Sequence, residues 1–311
     1  MRRQYIFGTS FVILLLMLIP FSGCTKTKSV FQKVLPASMT KNKRPAHPDL
    51  KKRVMVLPFM DLAKLGPEGE AKITGEFLAN LKKSQDFLLF EPPEGTVLPS
   101  ESKFCKLGII KPQKELLEKA EDLGMNAIIA GVVNPIQSAD KKTGIWFLSK
   151  PTKMYEISVV INVFDIMSKT LLLNNLESEE VEVPLGEKAK TQNEKQIIET
   201  LIQENIPDIL ERQASAVSKR LSDDPWTGKI LTVDKDTIKI TAGKDIGVHP
   251  DQHFTVFARG ETISSEGGQS HSLLGERIGE IRVTSIMEDH SLAVPVEKGS
   301  FSPGQAIRMT R

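Results

Sequence analysis

The chain of 311 residues carries 41 Lys and Arg against 39 Asp and Glu, a formal charge of +2. Arg2 and Arg3 fall in residues 1–23, which hold no acid, so the remainder is balanced and offers no global basic field for a nucleic acid. Its two cysteines, Cys24 and Cys105, cannot build a disulfide framework.

The first predicted element is a targeting signal, residues 1–23. Arg2 and Arg3 form a positive start, Phe11 to Ile19 an apolar run, and Phe21-Ser22-Gly23 leads into Cys24. That is the order of a bacterial lipoprotein export signal. Cleavage before Cys24 leaves this residue as a lipid-bearing N-terminus, whose partner is a membrane. Two alternatives stay open. Tyr5 to Phe21 is only just shorter than the roughly 20 residues that span a bilayer, which fits an uncleaved anchor, and an ordinary secretory signal would leave Cys24 free. Residues 24–50 read as a flexible basic tether, because Cys24 to Arg53 holds nine Lys and Arg against Asp49 alone and shows no apolar period.

Residues 51–222 then read as one α/β domain. Arg53 to Phe59 is an apolar run closed by Pro58, which suits a buried strand. Pro67 can open a helix in which Ile73, Phe77, Leu78 and Leu81 form one stripe. Phe87 to Phe90 is a second strand, Lys114 to Leu123 a second helix ended by Gly124, and Ala127 to Val133 a third strand. Tyr155 to Asp165 and Leu171 to Val183 read as an antiparallel hairpin, with Ile157, Val159, Ile161 and Val163 on a buried face. Asn193 to Leu221 has a helical period that Pro207 should kink or divide. Residues 223–311 change character, with six short strands at Gly228 to Val233, Thr237 to Thr241, His253 to Arg259, Arg277 to Met287, Leu292 to Val296 and Gln305 to Met309. Glycines separate them, which suggests a small antiparallel barrel or sandwich.

The run Arg53-Val54-Met55-Val56-Leu57-Pro58-Phe59, the segment Gly124-Met125-Asn126-Ala127-Ile128-Ile129-Ala130-Gly131 and the hairpin around Val163-Phe164-Asp165 resemble the α/β domain of the TolB N-terminal part and of the curli secretion lipoprotein CsgG. The tail, with Gly243 to Val256 and Leu274 to Val283, resembles the C-terminal β domain of the flagellar assembly protein FlgT. The resemblance implies a mixed sheet with helices followed by a small all-β, barrel-like domain. It also implies an outer-membrane lipoprotein that faces the periplasm and docks envelope proteins.

Catalytic chemistry is not expected. His249 and His253 lie four apart across a turn and a strand, about 13 Å along an extended chain, so a shared metal is not predicted. Asp289-His290-Ser291 has the letters of a hydrolase triad, but neighbouring strand side chains alternate faces and should not converge, and the segment reads as a polar hairpin turn. The glycine clusters lack the spacing and lysine of a phosphate loop. No catalytic residue, metal or cofactor is assigned, and the chain is read as a non-enzyme. The acids from Glu177 to Glu187 are expected to mark a negative strand edge, and Cys105 a packed thiol. Between Val133 and Tyr155 the only strand candidate is Gly144 to Leu148, too short for a bilayer-crossing hairpin; its Ile145, Trp146 and Phe147 either pack against their own domain or form an exposed loop tip that is the candidate partner contact. The expected function is assembly or scaffolding in a secretion or flagellar type of envelope machine. A lipoprotein activator of a peptidoglycan synthase and a CsgG-like oligomeric secretion channel remain alternatives, so a homo-oligomer stays open.

Overall fold

A computed structural model describes residues 50–94, 112–143, 150–184, 193–264 and 270–310. A mixed sheet, three helices and a closed six-stranded barrel share one compact unit, residues 49–311. The sheet is built from β1 (Lys52–Val56), β2 (Met60–Asp61), β3 (Phe87–Phe90), β4 (Ala127–Val133), β5 (Gln137–Thr143), β6 (Lys150–Asp165) and β7 (Leu171–Pro184). Parallel pairs join β1 to β3 and β4, and antiparallel pairs join β6 to β4, β5 and β7. One long strand, β6, therefore organises the sheet. Its C-terminal half pairs with β4, its N-terminal half with β5, and its other edge with β7 throughout.

The helices are α1 (Pro67–Leu81), α2 (Lys114–Asp122) and α3 (Glu194–Asp223). The α1 stripe is as predicted, with Ile73, Phe77 and Leu81 buried and Leu78 half-buried against the same core. With α3 it covers the face of the sheet that holds Val54, Val56, Ile129, Ile157, Val159, Ile161 and Val163. The shorter α2 covers Met55, Leu57, Ile128, Ala130, Val132 and Val160 on the opposite face. Both faces of β1 and β4 are buried, so every residue of these strands is apolar or anchored by a hydrogen bond.

Two expectations change. Pro207 does not divide the third helix, which runs as one 30-residue element. Ile206, Ile209 and Leu210 around the proline are all buried in the core, and that packing outweighs the one backbone hydrogen bond the ring removes. The second change is β5, a strand of sequence QSADKKT that carries no apolar alternation. It forms because β6 presents a free edge between Lys150 and Glu156, which pairs residue by residue with Gln137 to Thr143.

The barrel comprises β8 (Gly228–Asp234), β9 (Thr237–Ile240), β10 (His253–Ser264), β11 (Ser270–Ile286), β12 (Ser291–Pro295) and β13 (Ala306–Met309), closed in the order β10-β11-β12-β9-β8-β13. Closure leaves no edge over its lower part. Trp226, Ile230, Ile238, Ile240, Phe254, Val256, Ile281, Val283, Ala293 and Ile307 fill its interior, joined by Leu50 from ahead of β1. β10 and β11 run past the barrel as a two-stranded arm, so both strands are longer than predicted.

Barrel and sheet are locked together through Arg53. Its guanidinium donates to both oxygens of Asp245 at 2.7 and 2.8 Å and to the carbonyls of Thr241 and Asp289 at 2.8 Å each. Asn126 completes the joint by accepting from the Arg53 backbone N–H at 2.9 Å and donating to the Thr227 carbonyl at 2.7 Å. Lys52 adds donation to the carbonyls of Leu221 at 2.5 Å and Asp224 at 2.8 Å.

Candidate interaction surfaces

Cys24, Cys105, His47 and the expected contact residues Ile145, Trp146 and Phe147 all lie outside the described residues. What flanks the last three is described. β5 and the first half of β6 form an antiparallel pair from Gln137↔Glu156 to Thr143↔Lys150. The described side chains of β5, Gln137 to Lys142, are exposed and polar but for Ala139. They make no apolar band of the kind a lipid-facing strand requires. No described helix is long and apolar enough to cross a membrane.

A concave surface of about 730 Å³ lies between the first halves of α1 and α3. Local sequence sets its two walls. Gly66 adopts φ 83, its N–H is accepted by Asp61 at 2.9 Å, and Pro67 then opens α1. Asn193 caps α3 by accepting from the Lys195 N–H at 3.4 Å. Farther along, Lys83 meets Glu211 at 3.6 Å, so the two helices run in the same sense. Leu65, Ile73, Ile198, Ile202 and Ile206 form the floor of the groove, with Glu68, Lys72, Glu76 and Glu199 along its rim. An apolar floor with a mixed-charge rim is the surface an amphipathic helix of a partner occupies. Ile73 is buried in the core as its spacing predicts, and the groove itself, which depends on α3 lying beside α1, has no signal in the sequence.

Polar clusters elsewhere serve the fold. Asp289 and His290 lie in the turn between β11 and β12, the polar hairpin turn expected there, and meet at 2.7 Å. The contact holds the Asp289 carboxyl below its usual range, with Arg53 adding to the effect. Ser291 is fully buried as the first residue of β12 and its hydroxyl has no partner among the described residues, so no proton relay runs through the three. His253 pairs with Glu280 rather than with His249. The described residues hold no group of three His, Cys, Asp or Glu side chains suited to a metal ion.

The glutamates of β7 do lie on an edge strand, since β7 pairs with β6 alone. Much of their charge is met within the chain, Arg212 reaching Glu177 and Glu179 at 3.0 Å each and Lys141 reaching Glu182 at 2.7 Å. Beneath them Gln213 is fully buried and donates to the carbonyls of Val159 at 2.8 Å and Asn175 at 3.1 Å, tying α3 to the sheet.

No protein-family model matches this chain, and no curated protein matches it in sequence. Solved structures similar to part of it include a hypothetical protein from Chlamydia trachomatis, 18% identical, covering 55% of this chain and 95% of that one with a TM-score of 0.31. A lipoprotein from Neisseria meningitidis is 14% identical over 56% of this chain and 99% of that one, TM-score 0.27. The PelC dodecamer from Paraburkholderia phytofirmans is 12% identical over 53% and 88%, TM-score 0.25. At such scores the likeness carries nothing about partners or assembly to this chain.

Proposed function

We propose that this chain is a lipid-anchored bacterial envelope protein, facing the periplasm from the outer membrane, that acts without catalysis as an assembly or scaffolding factor. The observation that carries the reading is the order Arg2-Arg3, the apolar run Phe11 to Ile19 and Ser22-Gly23-Cys24. Two features support the docking role. The groove between α1 and α3 offers an unfilled apolar floor, and the described ionic clusters are consumed in holding the fold. The machine served is of secretion or flagellar type in this reading.

Metabolic labelling of the full chain in bacteria with a radiolabelled fatty acid tests the anchor. Label should enter the wild-type chain and be absent from Cys24→Ser, which should also leave the membrane fraction. An unlabelled wild-type chain would overturn the anchor. Light scattering of the detergent-extracted protein then addresses role: a monomer fits the scaffold, whereas a discrete large ring would favour the secretion channel.

A further inference from the structure

Seven arginines fall among the described residues, and five are ion-paired: Arg53 with Asp245, Arg212 with Glu177 and Glu179, Arg220 with Asp224, Arg277 with Glu297, and Arg282 with Asp251. The remaining two, Arg259 and Arg308, have no carboxylate partner among the described residues, and both line the same cleft. This cleft, about 450 Å³, lies between the β10–β11 arm and the turn that joins β6 to β7. The turn and the arm meet at one end, where the Ser272 N–H donates to the Ser168 carbonyl at 3.0 Å.

The arm is built to present Arg259. Register shifts interrupt the β10–β11 ladder on both sides of it, between Phe257 and Arg259 and between Arg259 and Thr262. Such bulges re-aim a side chain out of the regular pleat. Gly260 and Gly275 allow the tight approach this needs, since an added Cβ would meet the Leu273 carbonyl oxygen at 2.1 Å and the Ala258 carbonyl oxygen at 2.7 Å. Gly304, at φ 80, leaves the guanidinium its place: a Cβ there would sit 1.7 Å from Arg259 Nη2. Arg259 meanwhile makes only long contacts, to the carbonyls of Gly304 and Pro303 at 3.3 Å.

Arg308 stands opposite Thr255 on the neighbouring strand. Arg259 is four residues farther along β10, about 13 Å in an extended strand. Leu273 and Leu274 line the cleft from the arm and are 50% and 38% exposed. Of the acids of the cleft, Glu121 is met by Lys169 and Lys229, Asp165 accepts from the Ser168 N–H and hydroxyl, and Asp224 meets Arg220 through Oδ1 while its Oδ2 has no partner among the described residues.

We infer that this cleft binds an extended acidic segment of a protein partner, with two carboxylates about four residues apart on Arg259 and Arg308 and apolar side chains between them against Leu273 and Leu274. An arginine fork accepts a carboxylate through two parallel hydrogen bonds, and residues i and i+4 of an extended peptide share a face. The inference deepens the scaffold reading by giving one partner a chemistry, and it rests on that reading only for the compartment in which the partner is met.

The test uses the full chain in detergent and a fluorescent, end-blocked pentapeptide, Glu-Leu-Ala-Leu-Glu, with Gln-Leu-Ala-Leu-Gln as its neutral counterpart. Anisotropy should show the acidic peptide binding about tenfold tighter than the neutral one, and weakening as salt is raised. Arg259→Gln and Arg308→Gln should each weaken it about threefold, whereas Arg277→Gln should leave binding unchanged. Arg308 also donates from Nε to Thr227 Oγ1 at 3.1 Å, so melting temperatures are measured alongside to confirm that each variant is folded. Equal binding of both peptides, or none at millimolar concentration, overturns the inference. So does displacement of the peptide by phosphatidylglycerol vesicles with the same dependence on Arg259 and Arg308, which would assign the cleft to lipid phosphate. Failure here leaves the Cys24 labelling result standing, and failure of the labelling leaves the peptide result standing.

Discussion

At the scale of single residues, Arg53 bears most on stability. Its side chain is 6% exposed, and all of its guanidinium bonds cross from the sheet to the barrel. Replacing it with Met would strand the Asp245 carboxylate, itself 19% exposed, and two carbonyls. Breaking one side of a buried pair costs several kcal/mol, so Arg53→Met should lose about 3 kcal/mol in urea unfolding. Arg277, bonded to Glu297, holds the Glu297 carboxyl below its usual range, as His290 chiefly does for Asp289. A carboxyl with a depressed folded-state pKa stabilises the fold above its unfolded value near 4 and loses that contribution as pH falls through the lower folded value. Lys153 behaves in the opposite sense, because its bond to Glu194 raises its pKa, so its contribution is present below about pH 10 and fades as pH rises through the raised value. Asp289→Asn and Glu297→Gln should therefore flatten the acid limb of a stability–pH curve and leave the alkaline limb unchanged.

At the scale of elements, the proline in α3 and a glycine in β4 carry opposite expectations. Pro207 removes a backbone hydrogen bond inside a 30-residue helix that packing holds continuous. Pro207→Ala should raise stability, by up to about 3 kcal/mol. Gly131 faces the Phe59 ring, whose nearest carbons would lie 2.4 and 2.6 Å from an added Cβ. Gly131→Ala should cost roughly 1–3 kcal/mol through overpacking, and thermal melts of the two variants should shift in opposite directions. Elements with a strong period were legible before the fold was known: α1 and the strands β1, β3 and β4 fall where their apolar spacing put them, and the six barrel strands fall where strands were expected, with β10 and β11 longer than predicted. β5 was not legible, because its seven residues are held by the backbone of β6 rather than by a buried face of their own. The docking surfaces were equally hidden. Arg259 and Arg308 are 49 positions apart in the chain, and only barrel closure sets β13 beside β10.

For the whole molecule, the joint at Arg53, Lys52 and Asn126 makes barrel and sheet a single cooperative body. Trp226, buried against Phe254 in the barrel with ring centroids 5.8 Å apart, reports one part, and helical circular dichroism the other. Both probes should show the same urea midpoint in the parent chain. In Arg53→Met the two midpoints should separate, and coincident midpoints in that variant would show that Arg53 does not couple the parts. The sequence by itself determined the order of the helices and of the strongly apolar strands, and the change from helical to strand period near residue 223. Each of these depends on neighbours a few positions apart, which a linear pattern records. Only the tertiary structure decided that α1 and α3 flank a groove, that β6 recruits a polar strand, and that two arginines with no carboxylate partner among the described residues share one cleft. Those features depend on which distant surfaces meet and on which charges find partners within the fold, and no local spacing encodes either.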